Sequence, residues 1–248
     1  MWIDSEGRAG VRRAAAIAAA LILSATVVAA TLDMPVARFC RAAPTTGENS
    51  VPKSLRKPLA LAEVFAHGVG VGGILVTMWL LDPARRRGMP RVVAASLGAG
   101  GLADVVKWVL VSRMRPQKAD LDGSVWDTFV GLLPRWSGAF AERAYTREFQ
   151  SCPSAHSAVA AGLAVVLSTL YPRGRWWFAV LAVLAMLQRV DAGAHFPSDT
   201  LLGAAVGCLV GSLSCHLRPA AFRLVADESP TVSGASAGRA ASETARPC

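Results

Sequence analysis

The chain has 248 residues, 53% of them hydrophobic and only 17% charged, where a soluble domain carries about 25% charged residues. The apolar residues come in long blocks, which excludes an ordinary soluble globular domain and points to a single helical membrane domain. The formal charge of +9 does not indicate a nucleic-acid partner. The basic residues lie between the apolar blocks rather than along one polar face, and positive flanks are what membrane spans carry.

In chain order, residues 1–13 form a polar, cytoplasmic N-terminus with Arg8, Arg12 and Arg13, and residues 14–32 are apolar enough for a first span. A basic start before an apolar core also describes a signal peptide; a retained helix is the reading taken here. Residues 33–57 read as a polar loop with Pro35, Pro44 and Pro52. The second span covers 59–81 and places Glu63 and His67 four apart on one helix face. A tight loop with Arg85, Arg86 and Arg87 follows, of cytoplasmic character. The third span covers 92–111 and carries Asp104 and Lys107, either a local ion pair or, for Lys107, a group at the helix end pointing into a polar site.

Residues 112–153 form a long outer loop. Trp126, Phe129, Leu132, Leu133, Trp136 and Phe140 recur at spacings near three and four, an amphipathic pattern suited to the bilayer surface or to a lid. The fourth span covers 154–171 with Ser154 as N-cap, the fifth 176–190 and the sixth 197–217. Pro197 suits a first helical turn, and Gly203, Gly207 and Gly211 make a packing stripe four apart. Residues 227–248, rich in Ser, Ala, Thr and Gly, read as a disordered tail. None of the five cysteines forms a C-x-x-C pair, so no zinc or redox motif is supported. A Cys40–Cys152 disulfide is an open possibility.

Six spans put both termini and the two short Arg-rich loops on one side, and the 112–153 loop and the 191–196 turn on the other. The unusual polar groups then share one membrane level: Lys107 and Arg115 after the third span, Ser154 and His156 at the start of the fourth, Arg189 at the end of the fifth, His195 and Asp199 at the start of the sixth. Ionisable groups at that depth mark a site. The set suits phosphate. Lys and Arg supply charge and forked donors, and the first amides of the fourth helix add more. A His held by a carboxylate can act as nucleophile, and a second His can protonate the leaving oxygen. This donor set calls for no metal or other cofactor.

These segments resemble the type 2 phosphatidic acid phosphatase superfamily, which also includes vanadium haloperoxidases. The family's motifs are K-x6-R-P, P-S-G-H and S-R-x5-H-x3-D. Here they read Lys107, seven residues, Arg115-Pro116; then Pro153-Ser154-Ala155-His156; then Gln188-Arg189, five residues, His195, three residues, Asp199. Gln188 stands for the usual Ser and Ala155 for Gly. The extra residue in the first motif rotates Lys107 by about 100° on a regular helix. Either a bulge restores it or Arg113 serves in its place. The resemblance covers roughly residues 59–217.

It implies an all-α, six-transmembrane-helix bundle with the active site at the outer helix ends. His195 would be the nucleophile that forms a phosphohistidine, Asp199 its orienter and His156 the general acid. Lys107, Arg115, Ser154 and Arg189 would bind the phosphoryl oxygens. The expected function is metal-independent hydrolysis of a lipid phosphate or diphosphate, at a bacterial inner membrane with the site facing outward. Phosphotransfer to another lipid or sugar fits the same residues, and a non-catalytic lipid-binding or transport relative is the reading of a different class. Phosphatidic acid, phosphatidylglycerol phosphate, polyprenyl diphosphate and lipid A phosphates all fit the same core.

Overall fold

The computed structural model of the chain describes residues 5–45, 53–132 and 146–216. These residues are mostly helical: α1 (Ser5–Thr31), α2 (Asp33–Thr45), α3 (Lys53–Phe65), α4 (Gly68–Leu81), α5 (Met89–Val109), α6 (Ala155–Leu170), α7 (Arg175–Asp191) and α8 (Pro197–His216). Between α5 and α6 lies a short antiparallel pair, β1 (Val111–Arg113) and β2 (Phe129–Leu132), with Ser112 opposite Gly131 and an irregularity beside Arg113.

Helix α6 sits among α5, α7 and α8, and α1 lies along α8. The expected glycine stripe is the reason α6 and α8 meet so closely. A Cβ on Gly203 would stand 2.3 Å from the Ser154 carbonyl oxygen, one on Gly207 2.3 Å from that of Ala158, and one on Gly211 2.8 Å from that of Gly162. Backbone packs on backbone, as membrane helices do when burial from water gives no drive. Apolar side chains such as Leu163, Val166 and Val92 fill the space around α6. Large apolar residues such as Leu81, Leu97 and Trp176 stay exposed on outward faces.

Several expectations need correction. Residues 33–57 are not a loop throughout: Asp33–Thr45 and Lys53–Phe65 are helical. The second span is broken, with a 67° bend between Lys57–Phe65 and Gly68–Leu81. Gly70 lets the chain fold back there, since a Cβ would lie 1.8 Å from the Val64 carbonyl oxygen. Glu63 and His67 therefore flank a break instead of sharing a helix face. The aromatic pattern from Trp126 does not form one helix. Val125–Thr128 is a 3₁₀ turn that runs into β2, while Leu133, Trp136 and Phe140 lie outside the described residues, as does the tail at 227–248. Cys40 and Cys152 are not disulfide-bonded.

Among the described residues, two helical stretches are long and apolar enough to cross a membrane, Pro83–Val109 and Pro197–His216. The number rises to four if each bent pair, α1 with α2 and α3 with α4, is one span. Helices α6 and α7 are shorter, at 16 and 17 residues, at the low end of the roughly 17–25 residues that spanning helices use.

Candidate active site at the starts of α6 and α8

The site begins with two helix starts tied together. Ser154 caps α6: its Oγ accepts from the Ser157 amide at 3.4 Å, and its own amide donates to the Asp199 carbonyl at 3.0 Å. Asp199, at the third position of α8, reaches back to accept from the Phe196 amide at 2.9 Å. That is half of a capping box. It explains why a carboxylate is stable here, beside the positive end of a helix. His195 and His156 thus sit just before and just inside two helix starts that share a backbone hydrogen bond.

The Nδ1–H of His195 donates to the Ser151 carbonyl at 2.6 Å, not to Asp199. This fixes the tautomer and leaves Nε2 with its lone pair. The ring is 3% exposed. Burial pushes it down to about 3, helped by the charges of Arg115 and Lys107 and opposed by Asp199, so it is neutral at ordinary pH. Asp199 reaches it indirectly: Ser151 Oγ donates to Asp199 Oδ2 at 2.6 Å, and the same Ser151 holds the imidazole through its carbonyl.

Strand β1 positions Ser151. The Ser151 amide donates to the Arg113 carbonyl at 3.1 Å, and the Arg115 amide donates to the Glu148 carbonyl at 2.8 Å. The segment before α6 is thereby zipped along residues 113–115. Arg113 is fully buried. It donates to Asp199 Oδ1 at 2.6 Å, Ser198 Oγ at 2.8 Å, Asp33 Oδ2 at 2.8 Å and Thr128 Oγ1 at 3.0 Å. Its guanidinium lies 4.0 Å from the Phe196 ring centroid and 4.5 Å from that of Phe129. Arg113 is therefore engaged by carboxylates and hydroxyls. The extra residue imposes no 100° rotation on Lys107, because α5 ends at Val109 and the path to Arg115 is not helical.

Lys107 makes the local ion pair with Asp104 at 2.8 Å, yet its own side chain is buried while that of Asp104 is half exposed, and its charge acts on His195. Arg115 and Arg189 lie close enough to repel one another. Burial, then Arg189, then Arg147 push Arg115 below the ordinary arginine value. Both Arg115 and Arg189 have a buried Nε without a partner among the described residues. Two groups arrive from the broken second helix pair. Glu63 ion-pairs with Arg189, and the His67 ring centroid is 6.1 Å from that of His156. Sequence reading had singled out Glu63 and His67 but given them no role in the site. It had missed Asp33 and Ser151 altogether.

All seven expected residues thus fall in one neighbourhood. Lys107, Arg115 and Asp199 act on His195, Lys107 and Arg189 act on His156, and Ser154 is bonded to the backbone of Asp199.

Residues 90–223 match the profile of the PAP2 superfamily. A 59-residue segment is 39% identical to lipid A 1-phosphatases of Rhizobium etli and Rhizobium johnstonii, covering 24% of this chain and 25% and 24% of those proteins. The matched segment therefore spans about a quarter of the length of these relatives. The fold resembles the crystal structure of Aquifex aeolicus LpxE, with a TM-score of 0.54 and 18% identity over 75% of this chain and 96% of that one.

Proposed function

The chain belongs to the PAP2 superfamily, and from that premise we propose that it is an integral membrane phosphatase acting on a lipid phosphate through a phosphohistidine. The observation that carries this reading is the state of His195. Its Nδ1–H is committed to the Ser151 carbonyl, which leaves Nε2 as a base beside cations whose donors are not all used.

Nε2 attacks phosphorus in line and the P–O bond to the lipid breaks. His156 delivers a proton to the departing oxygen. Lys107, Arg115 and Arg189, with the amides at the start of α6 above the Ser154 cap, hold the phosphoryl oxygens as charge spreads over them. Asp199 supports the positive ring through Ser151. Water then attacks the phosphohistidine with His156 as base, releasing inorganic phosphate and restoring neutral His195. Six membrane-crossing segments, with these helix starts at the outer face of a bacterial inner membrane, are part of the same proposal.

The test is phosphate release by the purified full chain, with and without His195→Ala, on a panel headed by lipid A 1-phosphate. The panel also holds phosphatidic acid, phosphatidylglycerol phosphate and a polyprenyl diphosphate. Activity that vanishes with His195→Ala, is inhibited by vanadate and survives EDTA supports the proposal. Equal activity of the two proteins, inactivity of both on every lipid, or transfer of label to another lipid instead of to phosphate refutes it.

A further inference from the structure

Asp33, Arg113 and Asp199 form a buried cluster of two carboxylates and one guanidinium, each with its side chain fully excluded from solvent. They come from three distant parts of the chain: the bend between α1 and α2, strand β1, and the first turn of α8. Burying three charges is costly unless geometry and hydrogen bonding are complete, and packed apolar side chains often stabilise as well or better. Here the bonding is extensive. Asp33 accepts from the Ser198 amide at 3.0 Å, from Ser198 Oγ and from Arg113 Nη2. Asp199 accepts from Arg113, Ser151 and the Phe196 amide.

We propose that Asp33 and Arg113 are positioning residues for the reaction, so that the bend of the N-terminal helix pair sets the geometry of the His195 nucleophile. This rests on the reading of His195 given above. The chain of contacts is continuous. Asp33 grips α8 at Ser198, the neighbour of Asp199, and orients Arg113. Two flanking aromatic rings and the Thr128 hydroxyl also hold Arg113. Arg113 fixes one oxygen of Asp199, and the other oxygen holds the hydroxyl of Ser151, whose carbonyl holds Nδ1 of His195. Charge points the same way. Two carboxylates and one guanidinium leave one net negative charge behind the ring, suited to the positive charge that His195 acquires on phosphorylation. With Asp33 neutralised, Arg113 cancels Asp199 and that support is lost as the charge forms. The effect therefore falls on turnover rather than on substrate binding.

The experiment compares wild type, Asp33→Asn and the milder Ser198→Ala in the full detergent-solubilised chain. Turnover is expressed per folded molecule, and Cys152 labelling by a water-soluble maleimide is resolved by peptide mass spectrometry. Cys152 adjoins Ser151 and is 3% exposed, so its labelling reports release of that segment. The expected result for Asp33→Asn is a fall in kcat of roughly 100-fold, the scale of a misplaced catalytic group, with KM kept within about threefold and faster Cys152 labelling. Ser198→Ala gives a smaller fall in the same direction. Wild-type turnover per folded molecule in Asp33→Asn overturns the proposal. Should that variant not fold, wild-type turnover in Ser198→Ala overturns it equally. If wild type and His195→Ala do not differ, the phosphatase reading is what has failed. Cys152 labelling then decides the linkage: faster in Asp33→Asn supports it, unchanged refutes it.

Discussion

Arg113 and Arg115 are two residues apart and chemically identical, yet they occupy opposite kinds of place. Arg113 is closed to solvent, with its donors spread over two carboxylates and two hydroxyls. Arg115 is half-buried, faces two other arginines and keeps a buried Nε without a partner among the described residues. Arginine content or spacing does not separate an arginine closed into an ion cluster from one that keeps a donor unused among the described residues. What separates them is whether the charge is already neutralised. A cation held among cations carries an electrostatic cost, and on the proposed reading a phosphoryl group would relieve it.

Removing each arginine in turn separates the two environments most strongly. Arg113→Ala leaves two buried carboxylates uncompensated and should cost about 3–5 kcal/mol of stability, read as a large drop in melting temperature in detergent. Arg115→Ala should leave the melting temperature close to wild type. Its cost should appear in kcat/KM, at roughly 100- to 1,000-fold, the scale of losing one donor to a transition-state oxyanion. If the two variants exchange these phenotypes, the assignment of roles is wrong.

A smaller effect sharpens the account of Arg189, which falls between the two. Glu63 partly neutralises it and would compete with a phosphoryl group for the same donors. Glu63→Gln should tighten vanadate inhibition by roughly three- to tenfold, because the competent state no longer has to displace a carboxylate. Weaker inhibition would instead make Glu63 a support for Arg189.

A further effect concerns pH and is small near neutrality. Burial holds the folded His195 near 3, against an ordinary value of 6.5. Between those values the unfolded chain binds a proton that the folded protein refuses. This contribution to stability is therefore complete above about pH 6.5 and declines as pH falls toward 3, by at most about 1.4 kcal/mol per pH unit. Melting temperature should fall more steeply with acid in wild type than in His195→Asn, where nothing titrates. Parallel curves would falsify a buried neutral His195.

What the sequence disclosed and what it hid follow from the range of the interactions. Ser154 as a cap and the Gly203–Gly207–Gly211 stripe are local patterns, a helix start and a period of four, and both appear as expected. The ionisable residues at the ends of apolar blocks stood out because such groups are rare at membrane depth. Asp33 did not stand out. It lies in a stretch rich in Pro and polar residues, and its partners Arg113 and Ser198 are 80 and 165 residues away. Nothing beside it in the chain distinguishes a buried carboxylate from a loop one. Ser151 acts largely through its carbonyl, which any residue supplies. The break at His67 is visible as a run of glycines, but glycines also serve close helix packing, and composition does not tell a bend from a contact.

The glycine stripe carries a consequence for how this protein adapts. With α6 and α8 in backbone contact from Gly203 to Gly211, His156 and His195 ride at the starts of one rigid piece, and their separation cannot be tuned without unpacking the bundle. Variation in substrate must therefore enter where backbone is not locked to backbone. The bend between α3 and α4 is such a place, because it brings Glu63 and His67 to the site from a hinge-like joint. Residues at that joint can change while His156 and His195 stay fixed by the contact between α6 and α8.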